Sequence, residues 1–319
     1  YSNDMWPFHA EYPDSYPDLM LYDKENPIKV LKDQSNLTKE LTLKSVEFIE
    51  KNKNNPFFLY LAHPQPHVPL FASADFKGKS KNGLYSDVIQ EIDYSVGAIM
   101  KALKDNNLVD NTIVVFTSDN GPWLSYGKHA GSTGVYREGK GTTWEGGQRV
   151  PCIVWYPNEI KPNTVISTPL MGIDWLPTFA SVTNSKLSEN KIDGKNIWEV
   201  LINKTDKSPH EALFFYYHVN SLHAVRYGDW KMYFPHRYRT LSGREGRNDG
   251  TPIKYEYVNL ENMELYNLVK DPSETKNVIE QYSEIAKIIE KLADIKRNEI
   301  GDDLTKVQGT ENRPVGMID

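Results

Sequence analysis

Residues 112–123 read TIVVFTSDNGPW, and residues 139–151 read GKGTTWEGGQRVP. The apolar run 113–116 ends abruptly in Thr117, Ser118, Asp119, Asn120 and Gly121. Such a change marks a buried parallel strand that delivers side chains to the carboxyl edge of its sheet, where open α/β folds bind ligands. Asp119 and Asn120 are adjacent oxygen donors, suited to a hard divalent cation. Lys140 stands between Gly139 and Gly141, where the backbone can approach an anion closely. An oxygen pair followed by a glycine-flanked lysine suggests a site for a tetrahedral oxyanion ester.

The flanking segments extend this reading. Residues 38–52 carry Leu41, Val46, Phe48 and Ile49 at helical positions, and Asn54-Asn55-Pro56 stops the helix. Residues 57–62 are a short apolar strand that runs into His63-Pro64-Gln65-Pro66-His67-Val68-Pro69. The prolines stiffen that loop and fix the His67 imidazole. A second helix, 85–106, gathers Val88, Ile92, Val96, Ile99, Met100 and Leu103 on one face. Residues 150–156 read as a buried strand containing Cys152, and 174–182 as a short helix. Strands alternating with helices predict an α/β fold, a mostly parallel sheet flanked by helices. From about residue 210 the texture changes to short strands at 212–218, 222–227, 230–234, 255–259 and 264–267, then a helix over 280–298. This reads as a small antiparallel sheet with one packed helix. The division falls at 1–208 and 209–319. Residues 1–36 show little periodicity and read as a surface loop.

Composition narrows the function. The net charge of −6 gives no general attraction to nucleic acid. No apolar run approaches the eighteen or so residues of a membrane span. The single cysteine excludes an intramolecular disulfide. Glycosylation-type triplets at Asn36 and Asn203 read as coincidence in a chain rich in Asn and Lys. The chain begins at Tyr1 with neither a charged nor an apolar leader region, so the native start is expected upstream.

The two quoted stretches resemble the second half of a type I, formylglycine-dependent sulfatase, in the arylsulfatase branch of the alkaline-phosphatase-like superfamily. In that family a strand ends in Asp-Asn-Gly. A Gly-Lys-x-Thr-x-aromatic-Glu-Gly-Gly-x-Arg-x-Pro segment follows, and Gly139 to Pro151 fits it throughout. The resemblance implies an alkaline-phosphatase-like fold and hydrolysis of sulfate monoesters, sulfated carbohydrates among them. It makes Asp119 and Asn120 ligands of one divalent cation, Ca2+. It sets Lys140 against a sulfate oxygen, and His67 against sulfate and the leaving alcohol. Thr143, Glu145 and Arg149 hold the loop, and His63 and Asp93 stay outside the chemistry. Trp123, His129, Tyr136, His223, Arg226 and Arg237 are candidates for a substrate rim. A phosphate or phosphonate ester hydrolase of the same superfamily, and a non-catalytic glycan- or anion-binding relative, are the alternatives.

The family's formylglycine segment, Cys/Ser-x-Pro-x-Arg, is absent from this chain. So are its first acidic metal ligands and its Gly-Lys-x-His-Leu-Gly segment. All three normally precede the part similar to Tyr1-Ser2-Asn3-Asp4-Met5. The nucleophile is therefore expected upstream of Tyr1, and residues 1–319 alone are expected to be inactive and marginally folded. A periplasmic or secreted bacterial location is what the resemblance implies. It leaves open the individual ester and the oligomeric state.

Overall fold

The computed structural model of the chain describes residues 18–312; the loop similar to the family at 1–5 lies outside them. A hairpin of β1 (Met20–Asp23) and β2 (Asn26–Val30) comes first, where aperiodic sequence suggested only a loop. Two helices packed side by side in the same direction follow, α1 (Leu37–Asn52) and α2 (Leu84–Asp105), with Thr42 bonded to Ser95. Their apolar stripes meet at Ile49, Ala102 and Leu103.

Residues 57–62 lie extended on this helix pair, with Phe57 and Leu59 packed against Ile49, Ala102 and Leu103. They have no ladder partner among the described residues, so the strand read from their composition is not one here. The alternate side chains face out: Phe58 is 72% and Tyr60 81% exposed. The next strand, β3 (Val114–Thr117), runs antiparallel to the later β4 (Cys152–Trp155), Phe116 opposite Ile153.

This corrects two sequence readings. The apolar run is not paired in parallel, and every pairing among the described residues is antiparallel. Cys152 is exposed and not a buried core residue. Both misreadings have one physical cause. Apolar composition predicted burial on two faces, but neither face of β4 is fully covered: Ile153 is 64% exposed, and Cys152 on the opposite face is exposed too.

Between β3 and β4 the chain forms a loop and the single turn α3 (Glu145–Gln148). The helices α4 (Trp175–Val182) and α5 (Trp198–Leu201) lead to the second half. There β5 (Leu213–Tyr217), β6 (Ser221–Tyr227), β7 (Trp230–Tyr233) and, after a ribbon, β10 (Glu264–Asn267) form one antiparallel sheet in the order β10-β7-β6-β5. The ribbon is β8 (His236–Thr240) paired with β9 (Glu256–Leu260). A terminal helix, α6 (Ser283–Ile300), lays Ala286, Ile289 and Ala293 on one sheet face, against Met232 and Phe234. Side chains alternate across a strand, so Tyr233 points to the opposite face. There it stacks on Trp144 at 3.9 Å between ring centroids. The second sheet face thus covers the glycine-lysine segment, and that contact positions the site.

Candidate functional site

The Asp-Asn-Gly turn and the lysine segment are pressed together backbone to backbone. Gly121 N–H donates to the Gly147 carbonyl at 3.0 Å, and Lys140 N–H to the Pro122 carbonyl at 2.9 Å. A Cβ on Gly121 would stand 1.8 Å from the Gly146 oxygen, so only glycine permits the approach. Asn120 turns its amide nitrogen to the Gly121 carbonyl at 3.0 Å, and Asp119 Oδ1 accepts the Asn120 N–H at 2.9 Å. These two side chains offer oxygen ligands only, which suits a hard cation. Among the described residues no group of three or more His, Cys, Asp and Glu could hold a metal. Asp119 and Asn120 therefore fit part of a Ca2+ shell, which takes six to eight oxygens.

Trp123 is the hub for the remaining predicted residues. The Lys140 ammonium lies 5.1 Å from the centre of its ring, within reach of a cation–π attraction. The His67 ring stands 5.8 Å from it on the other loop. His67 Nδ1 is 2.7 Å from the Val68 carbonyl. That bond needs the proton on Nδ1, so Nε2 is the acceptor in the neutral ring. His67, Trp123 and Lys140 are thus brought together beside the Asp119–Asn120 turn. His63 goes elsewhere: its Nε2 lies 3.1 Å from Ser95 on α2.

The lysine segment is held from below by a buried ionic cluster. Lys231, fully buried on β7, donates to Glu145 Oε1 at 2.8 Å and to the Thr143 carbonyl at 2.7 Å. Arg226 and Arg149 stand 3.7 and 3.8 Å from the other Glu145 oxygen. Burial raises the Glu145 pKa, but Lys231, Arg226 and Arg149 outweigh it and hold the carboxyl below its ordinary range. Its stabilisation is therefore present above the ordinary carboxylate pKa and lost as pH falls through the lowered value. Glu274 accepts the Glu145 N–H at 2.9 Å and the Tyr233 hydroxyl, and burial pushes its pKa up. Arg137 covers the other face of Trp144, its guanidinium 3.6 Å from the ring centre.

Of the rim candidates, only Trp123 is in contact with both His67 and Lys140. Arg226 belongs to the ionic cluster, and Tyr136 accepts a hydrogen bond from Arg149 at 2.9 Å. His223 is buried and stacks on His236 at 3.9 Å. Arg237 stacks on Tyr257 across the ribbon. His129 is partly buried, which lowers its pKa. Lys231, Glu274 and Arg239 were missed. They lie some ninety to 130 residues beyond the loop they hold, and no local pattern ties them to it.

Comparison with known proteins identifies the family. The family described as sulfatase matches residues 4–185, and the C-terminal region of aryl-sulfatase matches residues 208–315. The chain is 39% identical to human steryl-sulfatase over 211 residues, 62% of this chain and 36% of that one. It is 37% identical to an arylsulfatase of Hemicentrotus pulcherrimus over 227 residues, 71% of this chain and 40% of that one. The chain thus spans less than half the length of these two relatives. Among solved structures it superposes on a Bacteroides thetaiotaomicron protein described in connection with glycosaminoglycan metabolism. That match has a TM-score of 0.71, 31% identity, and covers 84% of this chain and 56% of the other. A sulfatase of Pseudoalteromonas sp. gives a TM-score of 0.74 at 24% identity, covering 89% and 56%, and shares the fold. These neighbours bear out the alkaline-phosphatase-like α/β class. By its motif, its fold and these matches, the chain belongs to the sulfatase family.

Proposed function

We propose that this chain is the later part of an enzyme that hydrolyses sulfate monoesters, completed by a nucleophile outside residues 1–319. The observation that carries this reading is the convergence of His67 and Lys140 on Trp123, beside the Asp119–Asn120 turn. Asp119 and Asn120 would hold part of a Ca2+ shell that would polarise sulfate oxygens, and a formylglycine outside residues 1–319 would supply the attacking oxygen. Lys140 brings a compact positive charge to the sulfate and lowers the cost of charge developing there. His67, with Nδ1–H given to Val68, presents Nε2 toward the ester; in its protonated form that atom donates to the departing alcohol oxygen. The buried cluster under Thr143 and Glu145 keeps the loop in place.

Sulfated carbohydrates are the substrate class to try first, given the glycosaminoglycan setting of the Bacteroides relative. Aryl sulfates serve as general probes. The test is Lys140→Ala in a form of the protein that includes the upstream nucleophile. Loss of one such charge-stabilising group lowers kcat by about 10²–10³-fold. Unchanged turnover of an aryl sulfate would remove Lys140 from the reaction. Faster turnover of the matched phosphate ester would move the reading to a phosphohydrolase.

A further inference from the structure

Arg239, on β8, reaches back 99 residues to the lysine segment. Its Nε donates to the Lys140 carbonyl at 3.1 Å, and its Nη2 donates to the same oxygen. The guanidinium lies flat on Gly141. A Cβ there would sit 2.2–2.4 Å from its atoms, and the glycine has φ +87°. Gly141 is thus shaped to receive Arg239. The guanidinium is itself fixed by two rings, 4.5 Å from the centre of Tyr255 and 5.7 Å from that of Trp123. The Tyr255 hydroxyl is anchored in turn by the Ser125 N–H at 3.3 Å.

The consequence falls on Lys140. Its N–H is taken by Pro122 and its carbonyl by Arg239, so its backbone is held on both sides. Its ammonium and the Arg239 guanidinium meet the same Trp123 ring. We propose that Arg239 is a positioning residue for Lys140: by clasping the lysine's carbonyl and covering Gly141, it sets where the ammonium stands. The β8–β9 ribbon thereby becomes part of the anion site without touching the ester. The fork of a guanidinium suits this task, because two donors converge on one acceptor while the flat face lies on glycine. The catalytic consequence rests on the sulfatase reading; the clasp itself does not.

Two measurements test the inference. The first is hydrogen exchange on the nucleophile-containing form of the protein, comparing Arg239→Ala with Arg244→Ala. Arg244 hydrogen-bonds the Leu241 and Lys254 carbonyls within the same ribbon and so controls for general loosening. Amides of 139–147 are expected to exchange at least about tenfold faster in Arg239→Ala only, as local opening is released. Arg239→Lys, with charge kept and the fork lost, is expected to lie between, and carries the comparison if the alanine variant does not fold. Equal exchange in the Arg239 and Arg244 variants overturns the proposal.

The second measurement uses the nucleophile-containing form and an aryl sulfate. Displacing a catalytic group by about 1 Å costs on the order of 10²-fold. Arg239→Ala should therefore lose kcat by about that factor with KM little changed, and added guanidinium ion should restore part of it. An unchanged kcat, or a loss equal to that of Arg244→Ala and deaf to guanidinium, overturns it as well. If the wild-type protein turns over no sulfate ester, the sulfatase reading fails. The exchange experiment then still decides whether Arg239 holds Lys140.

Discussion

Replacing Lys231 by Met tests the ionic cluster that carries the lysine segment. Methionine keeps much of the stem and deletes the ammonium, which also lies 4.2 Å from the centre of the Phe215 ring and 5.3 Å from that of Tyr233. Two hydrogen bonds vanish, at 2.8 Å to Glu145 and 2.7 Å to the Thr143 carbonyl. The Thr143 oxygen keeps the Tyr233 hydroxyl at 3.2 Å. Glu145 keeps only the more distant Arg226 and Arg149, at 3.7 and 3.8 Å. Stranding one member of a buried ion pair costs about 3–5 kcal/mol. The two remaining arginines put the expected loss at the lower end, about 3 kcal/mol. Urea unfolding of the nucleophile-containing form, followed by tryptophan fluorescence, reads it as a fall in the midpoint at constant slope. The double variant Lys231→Met with Glu145→Gln removes the stranded charge and should recover about 1–2 kcal/mol. A single variant within about 1 kcal/mol of wild type, or a double variant no better than the single, would refute the reasoning.

Acid should weaken the fold through the stacked imidazoles of His223 and His236. Burial, then the neighbouring His236 and His218, lowers the His223 pKa to about 3, so the folded chain refuses a proton that the unfolded chain accepts below about 6.5. Stability should fall as pH drops from about 6.5 toward 3, by about 2 kcal/mol at pH 5, and His223→Phe should flatten that slope. Gly121→Ala should cost about 3 kcal/mol, because the new methyl meets the Gly146 carbonyl at 1.8 Å; a melting temperature equal to wild type would count against that close approach. Residues 1–319 alone should hydrolyse no sulfate ester, and measurable turnover would place a nucleophile inside the chain.

The glycine-lysine segment was legible because its geometry is written in residue type. Gly121 and Gly141 stand where a Cβ would strike Gly146 or Arg239. Trp144 and Glu145 are buried against the C-terminal sheet and its lysine. The helices α1 and α2 followed from periodicity, and the strands of the four-stranded sheet from short runs separated by turn residues; β8, and the pairing of β9 with it outside that sheet, did not. What periodicity could not supply was pairing. Residues 57–62 are as apolar as a strand, yet a strand exists only where another backbone takes its hydrogen bonds. Cys152 and Ile153 looked buried because composition reports preference and not the presence of a covering layer. Arg239, Lys231 and Glu274 were invisible for a related reason. Each is an ordinary charged residue until the fold brings it against a loop far upstream.

The dependence of that loop on Glu274 also sets a schedule for synthesis. Glu145 and Glu274 are 129 residues apart. At translation rates of about 5–20 residues per second, the glycine-lysine segment leaves the ribosome roughly 6–26 s before its last anchor. Until Arg239 has also emerged, the complete motif exists as sequence while its lysine has no fixed position. A ribosome stalled between Pro151 and Arg239 would therefore display every residue of the motif and no anion site.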